Sequence, residues 1–247
     1  MRPRLRSGRR GALAWIAAGL AGLAAVGFAV VRAGDAGSGT GEPRLDVAIV
    51  GDSFVEQSRD QFRAHAEADG MTVEVSAFGG TAACDHGDEL AAYAERQPDT
   101  LIVSFAGNDI TPCMERGPAP SPEQTAQEYE VDFDSLVGEF LAVSPATRVY
   151  VVPPPPIRDA QYEVNAVAMR AMYDRYADEH PRTEVVDVTP VLAPDGAFHA
   201  SLPCESWEAE ACGPDGTVQL REEDGIHLTA AGGERYARAL LAAIDGG

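Results

Sequence analysis

Four short blocks set chemically useful groups at the ends of apolar runs or just before a helix. Gly51-Asp52-Ser53-Phe54 sets a hydroxyl where an apolar run ends and a helical period should begin. There the backbone N–H of a serine stands at a helix N-terminus, a place that favours developing negative charge. Phe78-Gly79-Gly80-Thr81 follows a second apolar run, and its glycines let the backbone turn and bring an N–H close to a ligand. Gly107-Asn108-Asp109 follows a third, where a carboxamide can donate to an oxyanion from a fixed position. Asp224-Gly225-Ile226-His227 spaces a carboxylate three residues before an imidazole. The carboxylate can hold one ring nitrogen and leave the other to take a proton from a nucleophile. Singly, each block has a plainer explanation. Asp52 or Ser53 caps a helix, Gly-Gly and Asn-Asp turn the chain, and Asp-x-x-His is a surface turn or a metal pair. His65, His180 and His199 have no comparable setting; His86, just after Cys84, is a spare candidate base.

The elements that must position these blocks are legible as alternating patterns. Asp46–Val50, Thr72–Phe78, Thr100–Ala106, Arg148–Val152 and Glu184–Val188 read as five strands, and their continuous apolar character suits strands covered on both faces. Helical periods lie between them, clearest over Tyr129–Leu141, around Met169–Tyr176 and after Thr229. The alternation predicts a three-layer α/β/α sandwich on a five-stranded parallel sheet, with its ligand site at the carboxyl ends of the strands. Pro153–Pro156 ends the fourth strand. Pro190–Glu223 shows little periodicity and reads as a long, ordered functional loop holding Cys204, Trp207 and Cys212.

Taken together and in this order, the four blocks resemble those of the SGNH (GDSL-type) hydrolase family, from Leu45 to about Ala239. The run Ile226-His227-Leu228-Thr229 into a helix is similar to the family's last block. The resemblance implies a flavodoxin-like fold with Ser53 as nucleophile and His227 as general base, oriented by Asp224. It implies an oxyanion hole made by the backbone N–H groups of Ser53 and Gly80 and the side chain of Asn108. Phe54 stands where the family has Leu, and the second block has adjacent glycines, so Gly79 is an alternative to Gly80. The implied reaction is hydrolysis of a carboxylic ester through an acyl-enzyme, with no cofactor and no metal. Acyl transfer to a sugar hydroxyl needs the same triad. Rival readings are a non-catalytic glycan-binding module and a metal-dependent hydrolase built on Asp52, Asp109, Asp224 and His227.

Composition narrows the partners. The 247 residues carry 39 acids against 19 basic side chains, all arginine, for a net charge of −20. So acidic a chain disfavours nucleic acid and repels acidic polymers. The expected partners are a small ester or an acylated glycan, with the protein a monomer. Arg2, Arg4, Arg6, Arg9 and Arg10 precede an uncharged stretch from Gly11 to Val31, and Arg32 follows it. That pattern predicts residues 1–32 to be a membrane anchor with the remainder outside, or else a cleaved signal peptide. Residues 33–43 form a Gly-rich linker and residues 44–247 the hydrolase domain. Four cysteines suit an oxidising compartment. Cys204 and Cys212 are the natural local pair, which leaves Cys84 with Cys113; zinc is the alternative, although no Cys-x-x-Cys pair exists.

Overall fold

The computed structural model describes residues 44–114 and 120–246. The anchor or signal segment and its linker lie outside the described residues. Among the described residues no helix is long and apolar enough to cross a membrane.

Five parallel strands form the central sheet: β1 (Val47–Gly51), β2 (Val73–Ala77), β3 (Thr100–Ser104), β4 (Arg148–Val151) and β5 (Thr183–Val185), in the order β2-β1-β3-β4-β5. This is the flavodoxin-like order, and it places a crevice beside the carboxyl end of β1, where the order reverses. β1 is buried along its whole length, and alternate residues feed opposite layers. Val47 and Ile49 join Phe62, Tyr236 and Leu240 in one core, whereas Ala48 and Val50 join Tyr129, Phe133 and Tyr173 in the other. The helices are α1 (Ser53–Ala68), α2 (Gly87–Glu95), α3 (Pro122–Val143), α4 (Ala160–Glu179), the short α5 (Thr189–Leu192) and α6 (Ala230–Asp245). α1 and α6 pack on each other over the first face, and α2, α3 and α4 cover the second.

The helix starts follow from local chemistry. Asp52, Ser121, Asp159 and Thr229 cap α1, α3, α4 and α6 by accepting from the N–H of Phe54, Gln124, Gln161 and Gly232. Each such cap stabilises its helix by about 1 kcal/mol.

The strand predicted over Glu184–Val188 is shifted and shorter. β5 is Thr183–Val185, after which the N–H of Val186 still donates to the Val151 carbonyl while the chain turns into α5. The predicted long loop is also more regular than its sequence implies. It holds α5 and a two-stranded antiparallel ribbon, β6 (Ser201–Pro203) with β7 (Thr217–Gln219). Three-residue strands are too short to show a period. The Cys204–Cys212 bond closes the segment between β6 and β7. A buried ion pair then fixes it to α6: Arg235 Nε and Nη2 donate to Glu208 Oε1 and Oε2 at 2.8 and 2.7 Å. The guanidinium also donates to the Pro203 and Val191 carbonyls. Removing one partner of such a pair leaves a buried charge uncompensated, at a cost of about 3–5 kcal/mol.

Candidate active site

All four blocks meet at the carboxyl edge of the sheet. β1 passes β3 so closely at Gly51 that a Cβ there would lie 2.6 Å from the Ser104 carbonyl oxygen. The next residue, Asp52, is fully buried. Its Oδ1 accepts from the Phe54 N–H at 3.1 Å, and its Oδ2 accepts from the Ala106 N–H at 2.7 Å and from Asn108 Nδ2 at 3.1 Å. One carboxyl therefore ties the turn bearing Ser53 to the loop bearing Asn108. Burial pushes this carboxyl up to about 6, against the opposing pull of the Ala106 and Phe54 N–H groups and of His227. Ser53 is the first residue of α1, and its N–H is one of the helix's open donors.

Gly79 and Gly80 turn the chain after β2. The Gly79 N–H is committed to Glu56 Oε2 at 2.7 Å. Gly80 has φ +79°, a conformation that suits glycine, and its N–H has no hydrogen-bond partner among the described residues. Asn108 is held from three sides. Its Nδ2 donates to Asp52 and, at 3.0 Å, to the Thr81 carbonyl, while the Tyr129 hydroxyl donates to its backbone carbonyl at 3.0 Å. Both carboxamide hydrogens thus have protein acceptors, so donation to a third oxygen requires sharing one of them or a small rotation.

Asp224 and His227 lie on the turn before α6. Asp224 Oδ1 accepts from the N–H groups of Ile226 and His227 at 2.8 and 3.0 Å, and Oδ2 lies 2.6 Å from His227 Nδ1. Partial burial raises the carboxyl, but these hydrogen bonds outweigh it and hold Asp224 down to about 2. An ionised carboxylate only accepts, so in the neutral imidazole Nδ1 carries the proton and Nε2 keeps the lone pair.

Ser53, Gly79, Gly80, Asn108 and His227 line one cavity of about 410 Å³. Ser53 Oγ and His227 Nε2 share this cavity with no hydrogen bond between them among the described residues. The remaining wall is Phe54, Ala106, Gly107, Ile110, Ile157, Tyr162, Asn165 and Ile226. Sequence reasoning missed Ile110, Ile157, Tyr162 and Asn165, because no local motif marks them. It also read Asp52 as a cap or metal ligand and did not see its bonds to Ala106 and Asn108.

The remaining candidates fall elsewhere. His86 is buried between Phe78 and Phe105, with Nδ1 3.3 Å from Ser76 Oγ and Nε2 3.0 Å from Thr81 Oγ1. Burial pulls its imidazole down, and it does not line the cavity. His65 and His199 contact Glu234 and Asp195, and His180 the Tyr176 carbonyl. Asp109 does not line the cavity either. Among the described residues no three His, Cys, Asp or Glu are grouped to hold a metal ion. All four cysteines are in disulfides: Cys84 is bonded to Cys113 and Cys204 to Cys212. The first of these ties the loop after Gly80 to the loop after Asn108.

A family model described as "Protein of unknown function (DUF459)" matches residues 46–243. The chain belongs to this DUF459 family. No curated protein matches it. Solved structures place this DUF459 chain in the α/β fold of the SGNH (GDSL-type) hydrolases. An acetyl xylan esterase aligns at TM-score 0.55 and 16% identity, over 81% of this chain and 100% of its own. The C-terminal catalytic domain of peptidoglycan O-acetyltransferase A from Streptococcus pneumoniae aligns at TM-score 0.53 and 15% identity, over 83% of this chain and 95% of its own. A variant of an acetyl-xylooligosaccharide esterase from Geobacillus aligns at TM-score 0.53 and 14% identity, over 81% and 94%.

Proposed function

We propose that residues 44–247 form a serine esterase that removes a short acyl group, first of all O-acetyl, from an uncharged alcohol such as a glycan hydroxyl. The observation that carries this reading is a single one. A serine at a helix N-terminus shares a cavity with a histidine whose Nδ1 is 2.6 Å from a carboxylate. In the proposed cycle Ser53 Oγ attacks the ester carbonyl carbon as its proton moves to His227 Nε2, and Asp224 steadies the imidazolium. The N–H groups of Ser53 and Gly80 and the Asn108 carboxamide receive the oxyanion. Collapse expels the alcohol, which takes the proton from His227, and water then repeats the sequence on the acyl-serine. The glycine assignment is supported by Glu56 occupying the Gly79 N–H while that of Gly80 is open.

The walls support a neutral substrate. Among the described residues no arginine or lysine lines the cavity, so no fixed cation there would pair with a phosphate or a carboxylate. Tyr162 stands half exposed, and the Asn165 carboxamide has no protein hydrogen-bond partner among the described residues. An aromatic face beside a free amide suits a sugar ring. Acetyl-glycan enzymes among the solved structures of this fold are consistent with that choice.

The test is a panel of nitrophenyl esters of graded chain length, followed by acetylated oligosaccharides. Acetate turnover faster than octanoate, with Ser53 labelled by a sulfonyl fluoride, is the expected result. No turnover of any ester and no labelling would sink the reading. Acetyl appearing on an added oligosaccharide instead of in water would make the enzyme a transferase. The N-terminal arginines and the Gly11–Val31 stretch support an exported domain, tethered or released. Protease added to intact cells should then degrade it. The net charge of −20 favours a monomer, which sedimentation would report.

A further inference from the structure

Arg221 is 1% exposed, and no carboxylate lies within ion-pair distance of it among the described residues. A buried guanidinium without a counter-ion is costly to keep. Desolvation draws it down to about 10, with Asp224 and Glu163 pulling the other way, so it is still charged at neutral pH. Its bonds show what it holds. Nη1 donates to the Ile226 carbonyl at 2.7 Å, the residue immediately before His227. Nη2 donates to the Pro156 carbonyl at 3.0 Å, next to the cavity wall at Ile157. The cation lies 5.5 Å from the ring centroid of Phe54, the residue immediately after Ser53, and 5.8 Å from that of Phe198. Nε makes no hydrogen bond.

Arg221 also stands at the base of the turn that it grips. Its backbone bridges Leu228, and within the turn the Glu222 N–H donates to the His227 carbonyl at 2.8 Å. On the outside, the Arg158 N–H donates to the Gly225 carbonyl at 3.0 Å and the Arg158 guanidinium to that of Glu223. Gly225 admits this contact because a Cβ there would meet the Arg158 side chain at 2.5 Å.

We infer that Arg221 is a positioning residue for His227, its guanidinium locking the base-bearing turn onto the helix that begins at Ser53. Three separately encoded pieces of the site (the nucleophile's helix, the base's turn and the wall after β4) converge on this one side chain. The inference rests on the serine-esterase reading for its catalytic consequence, not for the contact itself.

The full chain is compared with Arg221→Met and Arg221→Lys. A donor or base displaced by about 1 Å loses about a hundredfold in rate. In Arg221→Met the kcat for nitrophenyl acetate should therefore fall about a hundredfold, with KM within threefold. Arg221→Lys, which can still donate to Ile226, should recover at least tenfold of that loss. Hydrogen exchange at the Glu222 N–H should accelerate at least tenfold in Arg221→Met while amides of β1 and β3 keep wild-type rates. A kcat within threefold of wild type, or acceleration shared equally by the sheet, would overturn the inference. If Arg221→Met does not fold, Arg221→Gln, which loses the charge and the double donation, replaces it: a kcat within threefold of wild type with wild-type Glu222 exchange would overturn the inference. A wild-type protein that cleaves no ester would sink the esterase reading, while the exchange comparison still reports whether Arg221 holds the His227 turn.

Discussion

Asn108 Nδ2 lies 3.1 Å from Asp52 Oδ2 and 3.0 Å from the Thr81 carbonyl oxygen, so the proposed oxyanion donor is a cross-brace between two loops and a buried carboxyl. Such bracing fixes the carboxamide before substrate arrives, which is where preorganised donors get their catalytic worth. It also sets a cost, since the Asp52 or Thr81 bond must be shared when the oxyanion forms.

Removal of the Asn108 side chain is therefore expected to act on rate. Asn108→Ala should lower kcat for an acetyl ester by about 10²–10³ with KM little changed. Melting should move by only a few degrees, because the backbone of residue 108 keeps its bond from Tyr129. A variant with near wild-type kcat would remove Asn108 from the oxyanion hole.

Asp52 makes a prediction about pH. Its carboxyl is raised from 3.8 to about 6 in the folded protein. Between those values the folded state retains a proton that the unfolded chain has lost. Its contribution to stability is thus full below about 4 and is lost as pH rises through 6. The change is on the order of 2–3 kcal/mol. Asp52→Asn should remove this slope, and it should also lower stability throughout, since its amide would face N–H donors that now meet oxygen. Melting temperatures of the two proteins from pH 4 to 7 should draw together as pH rises. Parallel curves would show that Asp52 titrates as an ordinary carboxylate.

Much of this arrangement is legible in the sequence because it is local. Asp224 and His227 are three residues apart on one turn, and Ser53 and Asn108 each follow an apolar run that reads as a buried strand. What the sequence hides is contact between segments. Asp52 meets Asn108 only because β1 and β3 are neighbours in the sheet, with Gly51 opposite Ser104. The choice between Gly79 and Gly80 turns on Glu56, a residue on α1 that no turn rule would connect to them. Arg221 looks like any arginine in an aperiodic loop until Ile226, Pro156 and Phe54 close around it. β5 is shorter than its apolar run for a related reason: Val186 and Val188 are buried in the same core as Leu192 and Tyr236, beyond the end of the strand.

The triad itself should divide by role. Ser53→Ala and His227→Ala remove the proposed attacking atom and its proposed proton acceptor, and each should reduce esterase activity to background while leaving melting close to wild type. Asp224→Asn should retain more activity than either, because the two backbone N–H bonds to residue 224 can persist on its remaining oxygen. Hydrolysis by Ser53→Ala at near wild-type rate would rule out a serine mechanism.

The last prediction concerns the bond between Cys84 and Cys113. It joins residues 29 apart, four after Gly80 and five after Asn108, and so ties together the two loops that bear proposed oxyanion donors. Chain-entropy arguments give a cross-link of this length about 3–4 kcal/mol. Its effect on rate has a separate origin. The Asn108–Thr81 bond spans the same two loops, and without the disulfide it would be left to hold the carboxamide beside Gly80. The Cys204–Cys212 bond lies outside the cavity wall and provides the control. In Cys84→Ser/Cys113→Ser, kcat should fall at least tenfold at temperatures where circular dichroism shows the protein folded. In Cys204→Ser/Cys212→Ser, melting should drop with kcat per folded molecule within threefold of wild type. Equal losses of kcat in the two double variants would mean that the first bond only stabilises the fold. Peptide maps of non-reduced protein should recover Cys84 joined to Cys113, and four free thiols would remove the basis of the comparison.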